Sequence, residues 1–191
     1  MNPIIIEDYS PEWAIAFEKL RSVYTKHLED LISDIQHVGS TSVAGLAAKP
    51  VIDIDLIIDK RDVLAPLISK LAALDYEFMG DLGIKDREAF KRKSILTPDD
   101  GSKREWPSHN LYVCLRDSVA LRNHLTVRDF LRANSEKANQ YGELKRRLAA
   151  ENPNDIDLYI KNKTPFIIEI LEAIGFDKTS VEEIKMANKG I

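Results

Sequence analysis

Residues 37–55 read HVGSTSVAGLAAKPVIDID, and the reading of that stretch decides the fold. An apolar strand over about 34–38 runs into a Gly-Ser turn, a short helix at about 42–46, and a second strand over 51–58 that carries two carboxylates. Gly39 allows a tight turn with no side chain in the way. Ser40, Thr41 and Ser42 add hydroxyls and a run of backbone N–H groups, an arrangement able to wrap an anion. Asp53 and Asp55 flank Ile54, so on a strand both carboxylates leave one face while Ile54 points into the core. Two adjacent acids repel each other, which calls for a cation between them. Hard oxygen ligands at this spacing suit Mg²⁺ or Mn²⁺ holding a triphosphate. Lys49, beside Pro50, either ends the short helix or reaches a phosphate.

Working outward, 191 residues suffice for one domain with a real core and are short for two. Apolar residues make up 44% and charged residues 30%, an ordinary globular composition. A net charge of −4 argues against general nucleic-acid binding, while leaving room for a local basic pocket that takes a nucleotide. Cys114 is the single cysteine, so no disulfide framework is expected. The start, MNPIIIED, lacks the pattern of a signal peptide, and no apolar run reaches the length of a membrane span. A reducing cytoplasm, with no membrane partner, is the expected location.

Trp13, Phe17, Leu20, Tyr24, Leu28 and Leu31 recur at threes and fours and predict a helix over 11–31, with Ser10 as its cap and Pro11 in its first turn. A helix over 62–74 and a short strand over 76–79 follow. Strands are expected over 89–96 and 110–115, separated by the turn signal TPDDGS. Three helices, at about 118–133, 135–150 and 155–174, close the pattern. The expected fold is α+β: a mixed sheet with flanking helices carries the site, and a C-terminal helical lobe forms the other wall. One domain over 1–176 is expected, with a site-bearing half over about 1–116, a helical half over 117–176, and a tail over 177–191. Tyr141 and Lys145 share a helix face, as do Tyr159 and Lys163, and each pair offers an aromatic surface one turn from an ammonium. Arg128 and Arg132 share another face. Between Lys85 and Arg104 seven basic residues outnumber four acids, a local field suited to polyphosphate. His109, at the start of the later strand, is a potential base or ligand for Mn²⁺.

These pieces resemble the DNA polymerase β-like nucleotidyltransferase superfamily and, within it, the GrpB family. The resemblance is carried by Tyr9-x-x-x-Trp13, HVGSTSV at 37–43, GLAAKPVIDID at 45–55, Phe90 and Arg92 near the place of an F-x-K motif, HNLYV at 109–113, LTVRDFLR at 125–132, and the two tyrosine–lysine pairs. It spans nearly the whole chain apart from the last fifteen or so residues. The resemblance implies a metal-dependent nucleotidyltransferase that moves a nucleoside monophosphate from an NTP to an acceptor. Asp53, Asp55 and His109 would be catalytic and hold the Mg²⁺ or Mn²⁺. Gly39, Ser40, Thr41, Ser42, Lys49, Arg92, Arg128, Tyr141, Lys145, Tyr159 and Lys163 would bind substrate and its phosphates.

One departure stands out. Superfamily enzymes carry a third carboxylate on a later strand, and the stretch 109–115 has none; His109 or Asn110 stands nearest to that place. Two alternatives follow: a catalytically silent nucleotide-binding or sensor module, and a metal-dependent phosphohydrolase. Family members also occur fused to dephospho-coenzyme-A kinase, which implies a nucleotide or coenzyme-like ligand.

Overall fold

The structure, a computed structural model, describes residues 3–187. Contacts divide the chain into two compact units that interleave along the sequence: residues 11–38 with 51–121, and residues up to 10 with 39–50 and 122 onward. The consecutive halves expected around residue 116 therefore differ from the units in two places, the start of the chain and the stretch 39–50. The stretch 39–50 belongs with the C-terminal helices.

The first unit is a five-stranded sheet in the order β1-β2-β5-β4-β3. Its strands are β1 (Asp34–Val38), β2 (Ile52–Ile58), β3 (Tyr76–Phe78), β4 (Arg87–Arg92) and β5 (His109–Leu115). β2 and β5 run parallel; every other neighbouring pair is antiparallel. Helices α1 (Glu12–Leu28) and α2 (Leu64–Ala73) cover one face. The α1 periodicity does what its spacing predicts: Phe17, Leu20, Tyr24 and Leu28 pack on Ile35, Ile52, Ile54, Leu56, Leu111 and Val113, with Leu67 and Leu71 of α2. At the start of α1, Pro11 already has helical dihedrals (φ −58°, ψ −23°), as a proline in the first turn should. β4 ends at Arg92 instead of running to 96, because the chain leaves the sheet there to form a loop.

The second unit contains α3 (Val119–Ala133) from Arg122 on, α4 (Ser135–Glu151), α5 (Ile156–Ala173) and α6 (Lys178–Ala187). α6 lies in the stretch expected to be a tail, and Val181 and Ile184 on it are buried. The 39–50 segment supplies Val43 and Leu46 to a core with Leu131, Ala138, Tyr141 and Ile170. Its far end is tied by a bridge in which Ala48 and Glu7 exchange two backbone hydrogen bonds of 2.9 Å. Among the described residues no helix is long and apolar enough to cross a membrane.

Candidate functional site

Alternation along β2 settles which side chains share a face. Ile52, Ile54, Leu56 and Ile58 enter the core, so Asp53 and Asp55 project from the opposite side. Register extends that polar face across the sheet. Asp53 is flanked by Val38 and Asn110, and Asp55 by Gln36 and Tyr112; Cys114 and Arg87 pair in the next row. Asn110 donates its amide Nδ2–H to Asp53 Oδ1 at 2.8 Å. Asp55 has no exposed surface, whereas Asp53 is half-buried.

Tyr112 and Cys114 of β5 share the face of the two acids. Burial, with the Asp53 carboxylate second, pushes the Tyr112 phenol up to about 12. Burial and then the Asp55 charge drive the Cys114 thiol far above its ordinary value. The guanidinium of Arg87 lies over the Tyr112 ring, 4.4 Å from its centroid. Two carboxylates and an amide on one face form an oxygen-rich donor set, and burial of Asp55 raises the gain from a neutralising cation. That set fits Mg²⁺ or Mn²⁺.

His109 does not join it. It pairs with Ile52, one position out of phase with Asn110, and so points to the core face. There its Nε2 meets the Tyr76 hydroxyl at 2.5 Å, and Tyr76 meets the Tyr24 hydroxyl at 2.6 Å. The other nitrogen, Nδ1, lies 2.9 Å from the Pro107 carbonyl, which can only accept, so Nδ1 carries the proton and Nε2 accepts from Tyr76. Burial lowers the ring to about 4 and keeps it neutral. Strand alternation thus overturns the expectation of His109 as third ligand or base, and Asn110 occupies the place beside the acids.

Arg92 is also committed elsewhere. Its guanidinium donates to the carbonyls of Pro107 (2.9 Å), Ile95 and Trp106 (both 3.1 Å), clasping the loop after β4. Trp106 packs that loop, donating Nε1–H to the Pro98 carbonyl at 3.0 Å.

In the second unit the Gly-Ser turn has the conformation its sequence demands. Gly39 sits at φ 68°, ψ −173°, a region essentially closed to residues with a Cβ. Ser40–Ser42 form one 3-10 turn. Ser42 donates its hydroxyl to the Gly39 carbonyl at 2.6 Å, so this group shapes the turn. Thr41 and Ser42 are buried, Ser40 is half-buried, and Lys49 is exposed. Two cations hold the segment from the helices: Arg132 donates Nε and Nη2 hydrogens to the Ser42 carbonyl at 3.1 and 2.9 Å, and Lys145 donates to the Ala47 carbonyl at 2.5 Å. Lys145 is only 2% exposed. Tyr141 lies between the Phe166 ring, stacked at 4.9 Å, and the Lys145 ammonium at 4.6 Å. Tyr159 is buried with Ile4, Ile6 and Leu148, and Lys163 lies 5.4 Å from its ring centroid. Both tyrosine–lysine pairs share a helix face as expected, but the rings are packed into cores rather than presented for stacking on a base. Arg128 donates Nε–H to Asp129 at 2.7 Å.

The model of the GrpB protein family matches residues 3–173. This chain belongs to the GrpB family. The UPF0157 protein YqkA of Bacillus subtilis is 30% identical over 182 residues, a match covering 95% of this chain and 47% of YqkA. The chain therefore spans about half the length of that relative. Among solved structures, conserved protein GrpB from Enterococcus faecalis superposes with a TM-score of 0.74 at 29% identity, covering 89% of this chain and 99% of that one. The Cid1 poly(U) polymerase, in a structure with MgGTP bound, superposes with a TM-score of 0.55 at 15% identity, covering 92% of this chain and 54% of Cid1. The family thus has a nucleotidyltransferase-like fold. Sequence reasoning undervalued Asn110, Arg87 and Arg132. The first two were open to recovery by following strand alternation from Asp53 through β5 to β4; the third required knowing where residues 39–50 lie.

Proposed function

We propose that the protein binds a nucleoside triphosphate with Mg²⁺ or Mn²⁺ and transfers its nucleoside monophosphate to an acceptor, releasing pyrophosphate. The observation that carries this reading is the pair Asp53 and Asp55 on one face of a central strand, in a fold resembling one that binds MgGTP. Asp53 and Asp55 would hold a divalent cation, which would supply positive charge to offset that of the phosphates. Asp53 and Asp55 supply the carboxylate oxygens for it. Asn110 holds Asp53 in place through the 2.8 Å amide bond.

A second reading is favoured by Asn110. An amide cannot accept the proton of an attacking hydroxyl, so a module that binds metal and nucleotide without reacting accounts equally for a face with two carboxylates. Thermal unfolding against a panel of NTPs, dinucleotides and coenzyme A, with and without Mg²⁺ or Mn²⁺, tests what both readings share. A ligand at a hundred times its Kd stabilises by about 2.7 kcal/mol. The metal-dependent shift is expected to vanish in Asp53→Asn; an undiminished shift in that variant ends the proposal. Pyrophosphate release then separates transfer from silent binding.

A further inference from the structure

The polar face holds a charged group that neither reading has used. Arg87 opens β4 and pairs with Cys114, on the same side of the sheet as Asp53 and Asp55. Its side chain lies over Tyr112, whose own register partner is Asp55, one strand spacing away at about 4.8 Å between backbones. The tyrosine ring is therefore bordered by the carboxylates on one side and the guanidinium on the other. All three charges act on its phenol: Asp53 and Asp55 raise it, and Arg87 lowers it.

What distinguishes Arg87 is the lack of a carboxylate partner. The acids beside it in the chain, Asp86 and Glu88, are taken by Arg61, which bonds Asp86 and lies 3.7 Å from Glu88. Among the described residues the Arg87 guanidinium makes no hydrogen bond or ion pair, and its Nε is buried without a hydrogen-bond partner. Stacking on a ring occupies the flat face of a guanidinium and leaves its edge, with paired N–H groups, for an oxyanion. A half-buried cation aimed along a face with two acids, yet bonded to neither neighbour in sequence, is arranged to receive charge from outside the chain.

We propose that Arg87 binds an anionic group, a phosphate or a carboxylate, of the molecule held at the Asp53–Asp55 face. This rests on the metal–nucleotide site proposed above, and it adds a binding residue on the side of Tyr112 away from β2. The group recognised is either a phosphate of the nucleotide or an acidic group of the acceptor.

The test uses the full chain and calorimetric titration with inorganic pyrophosphate, with citrate, and with Mn²⁺ alone; each anion is titrated with and without the metal. Arg87→Met keeps a stem over Tyr112 and removes the charge, and Arg87→Lys restores the charge without the fork. Loss of a charged hydrogen bond predicts that Arg87→Met weakens anion binding about tenfold or more, with partial recovery in Arg87→Lys. Weakening of pyrophosphate assigns a phosphate, and weakening confined to citrate assigns a carboxylate. Mn²⁺ affinity is expected to hold or rise, because a neighbouring positive charge has gone. Unchanged affinity for both anions overturns the proposal, and so does a parallel fall in Mn²⁺ affinity, which would report a collapsed face. If the wild-type protein binds no Mn²⁺, the metal–nucleotide reading fails, while the metal-free anion titration still decides the role of Arg87.

Discussion

At the scale of single residues, Asp53 and His109 illustrate opposite outcomes of one rule. Both stand on strands of the central parallel pair, and alternation sends the aspartate to the polar face and the histidine to the core. The histidine then becomes a source of pH dependence. Its folded-state pKa of about 4 lies below the ordinary 6.5, so the unfolded chain takes up a proton first as pH falls. Stability from this ring is complete above pH 6.5 and is lost as pH falls through 4. Between pH 7 and 5 the loss amounts to about 2 kcal/mol, measurable by urea unfolding at the two pH values. His109→Gln should lack that component; equal slopes in variant and wild type would contradict a neutral buried ring. The two aspartates were legible from sequence because D-x-D on an apolar strand fixes their common face. The histidine was misread because its position one residue before Asn110 carries no meaning until the register with β2 is known.

At the scale of elements, the 39–50 segment shows the limit of local pattern. Its turn was legible: Gly39 takes the positive φ that a glycine there announces. Gly39→Ala is expected to cost about 1–3 kcal/mol in unfolding free energy, since the conformation is nearly closed to a Cβ. A variant as stable as wild type would mean that the turn adopts another shape. What local pattern could not reveal is how the segment is held. Arg132 and Lys145 donate to carbonyls about 90 and 98 residues away in sequence, so their assignment depends on packing alone. The tyrosine–lysine spacing was read correctly as one helix face, but a face shared by an aromatic and a cation describes a packed core as well as a ligand surface.

At the scale of the whole molecule, the α+β class, the mixed sheet and the helical C-terminal part were all legible, because amphipathic periods and strand runs are properties of contiguous sequence. The interleaving of the units was not, since it depends on contacts between distant segments. The acidic balance also acts at this scale. With a net charge of −4, no retardation of a random-sequence RNA is expected at about 0.15 M salt, even where a triphosphate binds. Tight, sequence-independent RNA retention in a mobility-shift assay would contradict that. Interleaving further sets an order of events during translation. Leu46 packs with Ile170, so the Gly-Ser turn lacks part of its support until the last long helix has left the ribosome. At an elongation rate of about 5–20 residues per second that is on the order of ten seconds after the turn itself is made. A nascent chain halted after β5 would carry every strand of the sheet, both aspartates included, and a Gly-Ser turn with nothing yet to shape it.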